Sequence, residues 1–191
     1  MGRVRGPVSD DAARSMYKGG RADGTARRFA RVWGLVFALG FGPRRWVRLE
    51  VPGRRTGRLM RIPIGLADLG GRWYAVSMLG ECNWVRNVRS NDSHAVLRHL
   101  TATPVEMVEV PAGERPPILR RYLQVAPGGR PHIPATVTSS DGQIAAIADR
   151  YPVYEVRRAD GTGFRPRRSW FPAAAAGAVL LWMRWARQMS T

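Results

Sequence analysis

Arg54, Arg55, Arg58 and Arg61 fall within eight residues and surround Thr56 and Gly57. Guanidinium forks bind phosphate and carboxylate through paired hydrogen bonds. Backbone N–H groups around Thr56 and Gly57 can add to such a site. The chemistry open to this run is anion binding, and a solvated basic turn accounts for the same residues at least as well. Two further runs follow it. Ser77, Met78, Leu79 and Gly80 lead from a strand into a loop. Asn83, Trp84, Val85, Arg86 and Asn87 open a helix that carries an indole and an amide. Taken together, the three runs suit a pocket for a flat, anionic cofactor.

Other chemistries lack the residues they need. His94, His99 and His132 are the only histidines, and no two stand four apart on one helix face. Cys82 is the only cysteine, so neither a zinc site nor an internal disulfide is expected. Cys82 has Glu81 beside it and no neighbouring cation to activate a thiolate. A Gly-x-Ser-x-Gly elbow and the Gly-rich nucleotide loops are absent.

The elements that must hold these runs can be read from periodicity. Phe29, Val32, Trp33, Val36 and Phe37 form one apolar face of a helix over 26–39, closed by Gly40, Gly42 and Pro43. Val47, Leu49 and Val51 alternate with polar positions, as do Ile62, Ile64 and Leu66, and then Tyr74, Val76 and Met78. Turns at 52–58 and 68–71 make these three antiparallel strands. Pro63 and Gly65 weaken the middle strand and predict a close approach by a ligand or another backbone. Asn83 is placed to cap a short helix. Strands are predicted over 95–100 and 105–110, a helix opening at Glu114, a second capped by Asp141, and a final strand over 151–156. About six antiparallel strands with flanking helices predict a mainly β, α+β small barrel. The chain divides into a basic lead (1–25), an amphipathic helix (26–42), a barrel domain (43–157) and a basic, Trp-rich tail (158–191).

Charge is distributed unevenly. The 191 residues carry 31 Lys and Arg against 14 Asp and Glu, a net charge of +17. Residues 62–156 are balanced at nine of each, so the excess lies at the two ends. A nucleic-acid binder should instead carry its charge across a folded face, and nucleic acid is not expected as a partner. Each basic end adjoins an apolar stretch: 29–41, bounded by Phe29 and Phe41, and 170–185, bounded by Trp170 and Trp185. Contact with an anionic membrane surface fits both stretches, and so does packing on the domain or in a homodimer. The lone cysteine fits a reducing cytoplasm, with peripheral attachment at the inner face of the cell membrane. A cleaved signal is not expected, because the apolar stretch follows a long polar lead and contains Arg31.

In order and spacing, the three runs resemble the deazaflavin-dependent nitroreductase family of actinobacteria, which uses coenzyme F420 on a split β-barrel. The resemblance covers about Arg45 to Val156. It includes the segments starting at Tyr122 and Arg130, Tyr-Leu-Gln-Val-Ala-Pro and Arg-Pro-His-Ile-Pro. It implies that Arg55 and Arg61, with Thr56 and Gly57 between them, hold the cofactor's phosphate and oligoglutamate tail. It implies that Ile62, Pro63, Ile64 and Gly65 lie along the deazaflavin edge. Ser77, Met78, Leu79 and Gly80 match the loop over the cofactor, with Ser77 a tentative proton donor. Trp84 and Asn87 match a Trp-x-x-Asn element beside the pocket, although Trp84 reads equally as core and Asn87 as helix surface. The activity implied is hydride transfer from reduced F420 to an electron-poor small-molecule acceptor such as a quinone, nitro compound or enone. FMN, or haem or another tetrapyrrole, on the same barrel is the alternative, and a non-enzymatic basic binding module a further one. The residues from Pro127 to His132 depart from the family's substrate-shaping tyrosines, so the acceptor does not carry over.

Overall fold

A computed structural model describes residues 24–166, with side chains from Arg31 onward. The basic lead up to residue 23, the side chain of Phe29 and the whole stretch 170–185 lie outside the described residues.

Helix α1 (Gly24–Ala38) is followed by β1 (Trp46–Pro52), β2 (Leu59–Leu69) and β3 (Arg72–Val76). A loop leads into the short helix α2 (Asn83–Arg89), then β4 (His94–His99) and β5 (Thr101–Glu109). Helices α3 (Arg115–Val125) and α4 (Asp141–Ala145) precede β6 (Val153–Arg158). All neighbouring strands are antiparallel and close in the order β1-β2-β3-β6-β5-β4. The result is a six-stranded closed barrel with flanking helices, the α+β split-barrel class expected from the alternation.

The strand period sorts the side chains. Val47, Leu49 and Val51 of β1, Leu66 of β2, Leu97 of β4, Val105 and Met107 of β5 and Tyr154 of β6 fill one core. Trp84, Val85 and Val88 of α2 join it, so this helix plugs the barrel. A second core lies on the outer face, where Ile118, Leu119, Tyr122 and Leu123 of α3 cover Ala67, Tyr74, Val76 and Val153. Helix α1 covers another part of the outside through Trp33 and Phe37, whose rings lie 6.5 and 5.2 Å from that of Trp46. Each fully buried aliphatic side chain here is worth several kcal/mol, so Leu49→Ala should cost about 2–5 kcal/mol.

Several local expectations are corrected. Pro63 and Gly65 sit inside an eleven-residue strand. The close approach they predicted comes from the chain itself: a Cβ on Gly34 of α1 would lie 3.9 Å from Pro63 Cδ, and one on Gly65 would lie 3.7 Å from Ala126 Cβ. Cys82, not Asn83, is the N-cap residue of α2. Ser140, not Asp141, caps α4, through a capping box with Gln143. Strand β3 ends at Val76, so Met78 lies outside it. Phe37 is half-buried against Trp33 and Trp46, and the exposed apolar positions of α1 are Val32 and Leu35, with Leu39 just beyond.

Charged groups on the barrel wall set the response to acid. Burial alone would raise the Glu50 carboxyl, but hydrogen bonds from Arg98 and Arg48 outweigh it and hold it below its ordinary 4.5. Hydrogen bonds from Arg89 are the largest cause lowering Glu109, and those from Arg157 lower Glu155. Burial lowers His99 below its ordinary 6.5, against the pull of its contact with Trp46 O at 3.0 Å. All four groups bind protons less readily in the folded state. Their stabilisation is therefore present at neutral pH and is lost on acidification: first below about 6.5 for His99, then below about 4.5 for the carboxylates. Thermal melts should show Tm falling in these two windows. In His99→Phe the first decline should vanish, and a Tm flat from pH 7 to 3 would contradict the assignment.

Candidate functional site

The β1–β2 hairpin turns through residues 53–58. Gly57 takes φ +65°, which a glycine adopts without a Cβ penalty. Its N–H donates to Gly53 O at 2.8 Å, and Gly53 N–H donates to Arg58 O at 2.9 Å. The hairpin leans on α2 through one side chain. Asn87 is 1% exposed, and its Oδ1 accepts from Arg54 N at 3.3 Å and from Arg54 Nη1 at 3.0 Å. Asn83 Oδ1 accepts from the same Nη1 at a longer 3.4 Å. Asn87 is thus a buried tie between helix and hairpin.

Between hairpin and helix lies a cleft of about 500 Å³, lined by Gly53, Arg54, Arg55, Thr56 and Met60 on one side and by the chain from Glu81 to Asn83, with Arg86 and Asn87, on the other. Its charge is lopsided. Among the described residues, no carboxylate pairs with Arg55 or Arg86. Glu81 is engaged by Arg89, whose Nη1 donates to both its carboxylate oxygens at 2.8 and 2.9 Å. Arg89 also donates to Glu109 at 2.8 and 2.9 Å, and Glu109 accepts from Tyr154 Oη at 3.2 Å. The Glu109 hydrogen bond is the main cause holding Arg89 protonated well above its ordinary range. Glu81 therefore spends its charge on Arg89, and the cleft presents an excess of guanidinium to whatever enters.

The split in the barrel lies beside this cleft. Strand β2 pairs with β1 along residues 59–65, but β3 reaches only residues 66–69. On the β3 side, residues 59–65 have no paired strand. Met60, Ile62 and Ile64 pack against the inner core yet stay half-exposed there.

The sequence-selected residues separate as follows. Arg55, Thr56 and Asn87 line the cleft. Gly57 shapes the turn. Ile62, Pro63, Ile64 and Gly65 lie along the unpaired stretch of β2. Arg61 points to the other side of its strand from Met60: its Nε is 3.9 Å from Glu50 Oε1, and its side chain is 56% exposed. Arg61 therefore does not line the cleft that holds Arg55. Met78, Leu79 and Gly80 line a second hollow of about 290 Å³ with His132, Arg150 and Tyr151. Ser77 is 1% exposed; its hydroxyl donates to Gly80 O at 2.6 Å and lies 3.3 Å from Cys82 Sγ. A hydroxyl this buried and engaged fastens the loop and has no path to a substrate, which corrects its tentative role as proton donor. Trp84 is a core residue, 5.7 Å ring to ring from Tyr154. Arg86 was missed as a site residue. A helical period places Asn83, Arg86 and Asn87 on one face, and that spacing was the available signal.

Among the described residues no group of three or more His, Cys, Asp or Glu could hold a metal ion. No described helix is long and apolar enough to cross a membrane.

No protein-family model and no curated protein matches the chain. Solved structures do. One described as a domain-swapped dimer aligns with a TM-score of 0.44 at 16% identity, covering 70% of this chain and 93% of that one. An F420-H2 dependent reductase, FDR-A, aligns at 0.40 and 17%, covering 60% and 95%. A putative 5-nitroimidazole antibiotic resistance protein from Bacteroides thetaiotaomicron aligns at 0.40 and 10%, covering 66% and 77%. The split-barrel assignment rests on this chain's own strand ladders.

The Asn87 tie has a measurable cost. Removing a buried amide that satisfies a backbone N–H and a guanidinium should destabilise by about 1–3 kcal/mol. Asn87→Ala should lower the urea midpoint and speed amide exchange across residues 53–58, while the exposed Asn83→Ala changes little. Equal effects would mean that Asn87 is not the anchor.

Proposed function

We propose that this chain is an oxidoreductase that binds reduced coenzyme F420 and passes its hydride to an electron-poor small-molecule acceptor such as a quinone, nitro compound or enone. The observation that supports this is the cleft with Arg55 and Arg86 unpaired while its one carboxylate is tied to Arg89. The residues present fit a polyanion. F420 carries a phosphodiester and a run of glutamate carboxylates, whereas FMN carries one phosphate. Arg55 and Arg86 take the tail by charge-assisted hydrogen bonds, and Thr56 with its neighbouring backbone N–H groups adds uncharged donors. Arg54, already held by Asn87, sets the position of the hairpin.

The unpaired stretch of β2 supplies backbone polar groups for a flat heterocycle, and half-exposed Ile62 and Ile64 supply apolar surface. The bound cofactor supplies hydride. The chain orients it, shields it from water and places the acceptor against it. With Ser77 buried, solvent supplies the proton. FMN or a tetrapyrrole on the same barrel remains the alternative cofactor, and a second copy of the chain an alternative partner.

Fluorescence titration with F420 tests the assignment. Wild type should bind at micromolar concentration, and Arg55→Ala and Arg86→Ala should each lose about 1.5–3 kcal/mol, roughly 10- to 150-fold. Arg61→Ala should lose less, because Arg61 lies outside the cleft; an equal loss would carry the tail along the outer face of β2. Binding of FMN in place of F420 would overturn the assignment.

A further inference from the structure

Helix α1 is apolar on two sides. Trp33 and Phe37 face the barrel, while Val32, Leu35 and Leu39 are 50, 54 and 51% exposed at spacings of three and four. One turn of chain extends this stripe. Leu100, between β4 and β5, is 40% exposed, and its N–H donates to Ala38 O at 2.9 Å. Its side chain lies against Gly40: a Cβ there would come 2.5 Å from Leu100 Cδ2, which explains a glycine at that position. Leu100 also has φ +65°. A leucine in the left-handed region is strained, and glycine or asparagine would turn the chain more easily. The fold thus keeps a strained leucine at a turn where it adds apolar surface to an already exposed stripe. Scattered exposed leucines need no explanation, but a contiguous set does.

We propose that Val32, Leu35, Leu39 and Leu100 form a face that inserts into an anionic lipid surface. Charge selects this occupant over the others. Residues 24–61 contain ten arginines and a single acid, Glu50, which is buried and already paired with Arg48 and Arg98. Arg31 is exposed directly beside Val32. Two copies of this face would bring like charges together. The apolar stretch 170–183 would do the same, being flanked by Arg167, Arg168 and Arg184. An apolar stripe ringed by cations and facing anionic headgroups gains from both burial and charge. The proposal is independent of the cofactor assignment and replaces Phe37 with Leu35, Leu39 and Leu100 as the inserting residues.

Co-sedimentation of the full chain with phosphatidylglycerol vesicles, and with neutral phosphatidylcholine vesicles, is the test. Wild type should bind the anionic vesicles, more weakly as salt rises. The combined variant Leu35→Gln, Leu39→Gln, Leu100→Asn should lose roughly tenfold or more, since each leucine contributes burial energy. Its Tm should not fall, because the changed side chains are exposed and Asn tolerates the left-handed turn. Leu59→Gln, an exposed leucine on β2, should bind like wild type. Unchanged binding by the triple variant, equal binding to neutral vesicles, or a wild-type dimer that the triple variant dissociates would each overturn the proposal.

Discussion

The length mismatch between β2 and β3 organises the molecule. Strand β2 has eleven residues and β3 five, so the ladder between them stops at Leu66 and Ala75. A backbone edge left open inside a barrel must be covered, paired or used. Beyond that point the chain turns away, with Ser77 N–H donating to Pro152 O and the Ser77 hydroxyl closing the loop on Gly80. This exit brings Cys82 and α2 across the barrel, where Trp84, Val85 and Val88 seal the core. The same helix meets the β1–β2 hairpin and creates the cleft. Hairpin, plug and cleft all follow from where β3 stops.

Within that frame, two hydrogen-bonded clusters decide which charges remain available. Asn87 holds Arg54, so Arg54 fixes the hairpin. Arg89 bridges Glu81 and Glu109, so Glu81 cannot neutralise its neighbours. Arg55 and Arg86 are left without carboxylate partners among the described residues. The outer wall behaves differently. There Glu50 gathers Arg48 and Arg98, with Arg61 at its edge, and much of the positive charge of β1, β2 and β4 is balanced locally. A chain with a large net positive charge therefore exposes it selectively.

Much of the fold was legible because half-buried strands declare themselves by alternation. Val47, Leu49 and Val51 pointed inward as their period required. The runs around Arg55 and Asn87 were also legible, and the structure does bring them to one cleft. What could not be read was which side of a strand faces a site. Arg61 stands only six residues from Arg55, yet the strand period turns it toward Glu50. Ser77 looked like a loop hydroxyl, but its burial depends on residues 150–152, far away in sequence. The role of Leu100 was invisible, because φ is not encoded in a local pattern of apolar and polar residues. Helix caps slipped by one residue at Asn83 and Asp141, where adjacent polar side chains compete for the same position.

The claim that the cleft recognises a polyanionic deazaflavin tail is tested most directly by comparing two ligands on the wild-type chain. Equilibrium fluorescence binding of intact F420 is set beside that of the same deazaflavin ribitol lacking phosphate and glutamates. The account predicts that the intact cofactor binds roughly tenfold or more tightly and that the difference shrinks as salt is raised. Equal affinities at low salt would contradict it, since Arg55 and Arg86 would then contribute nothing to recognition.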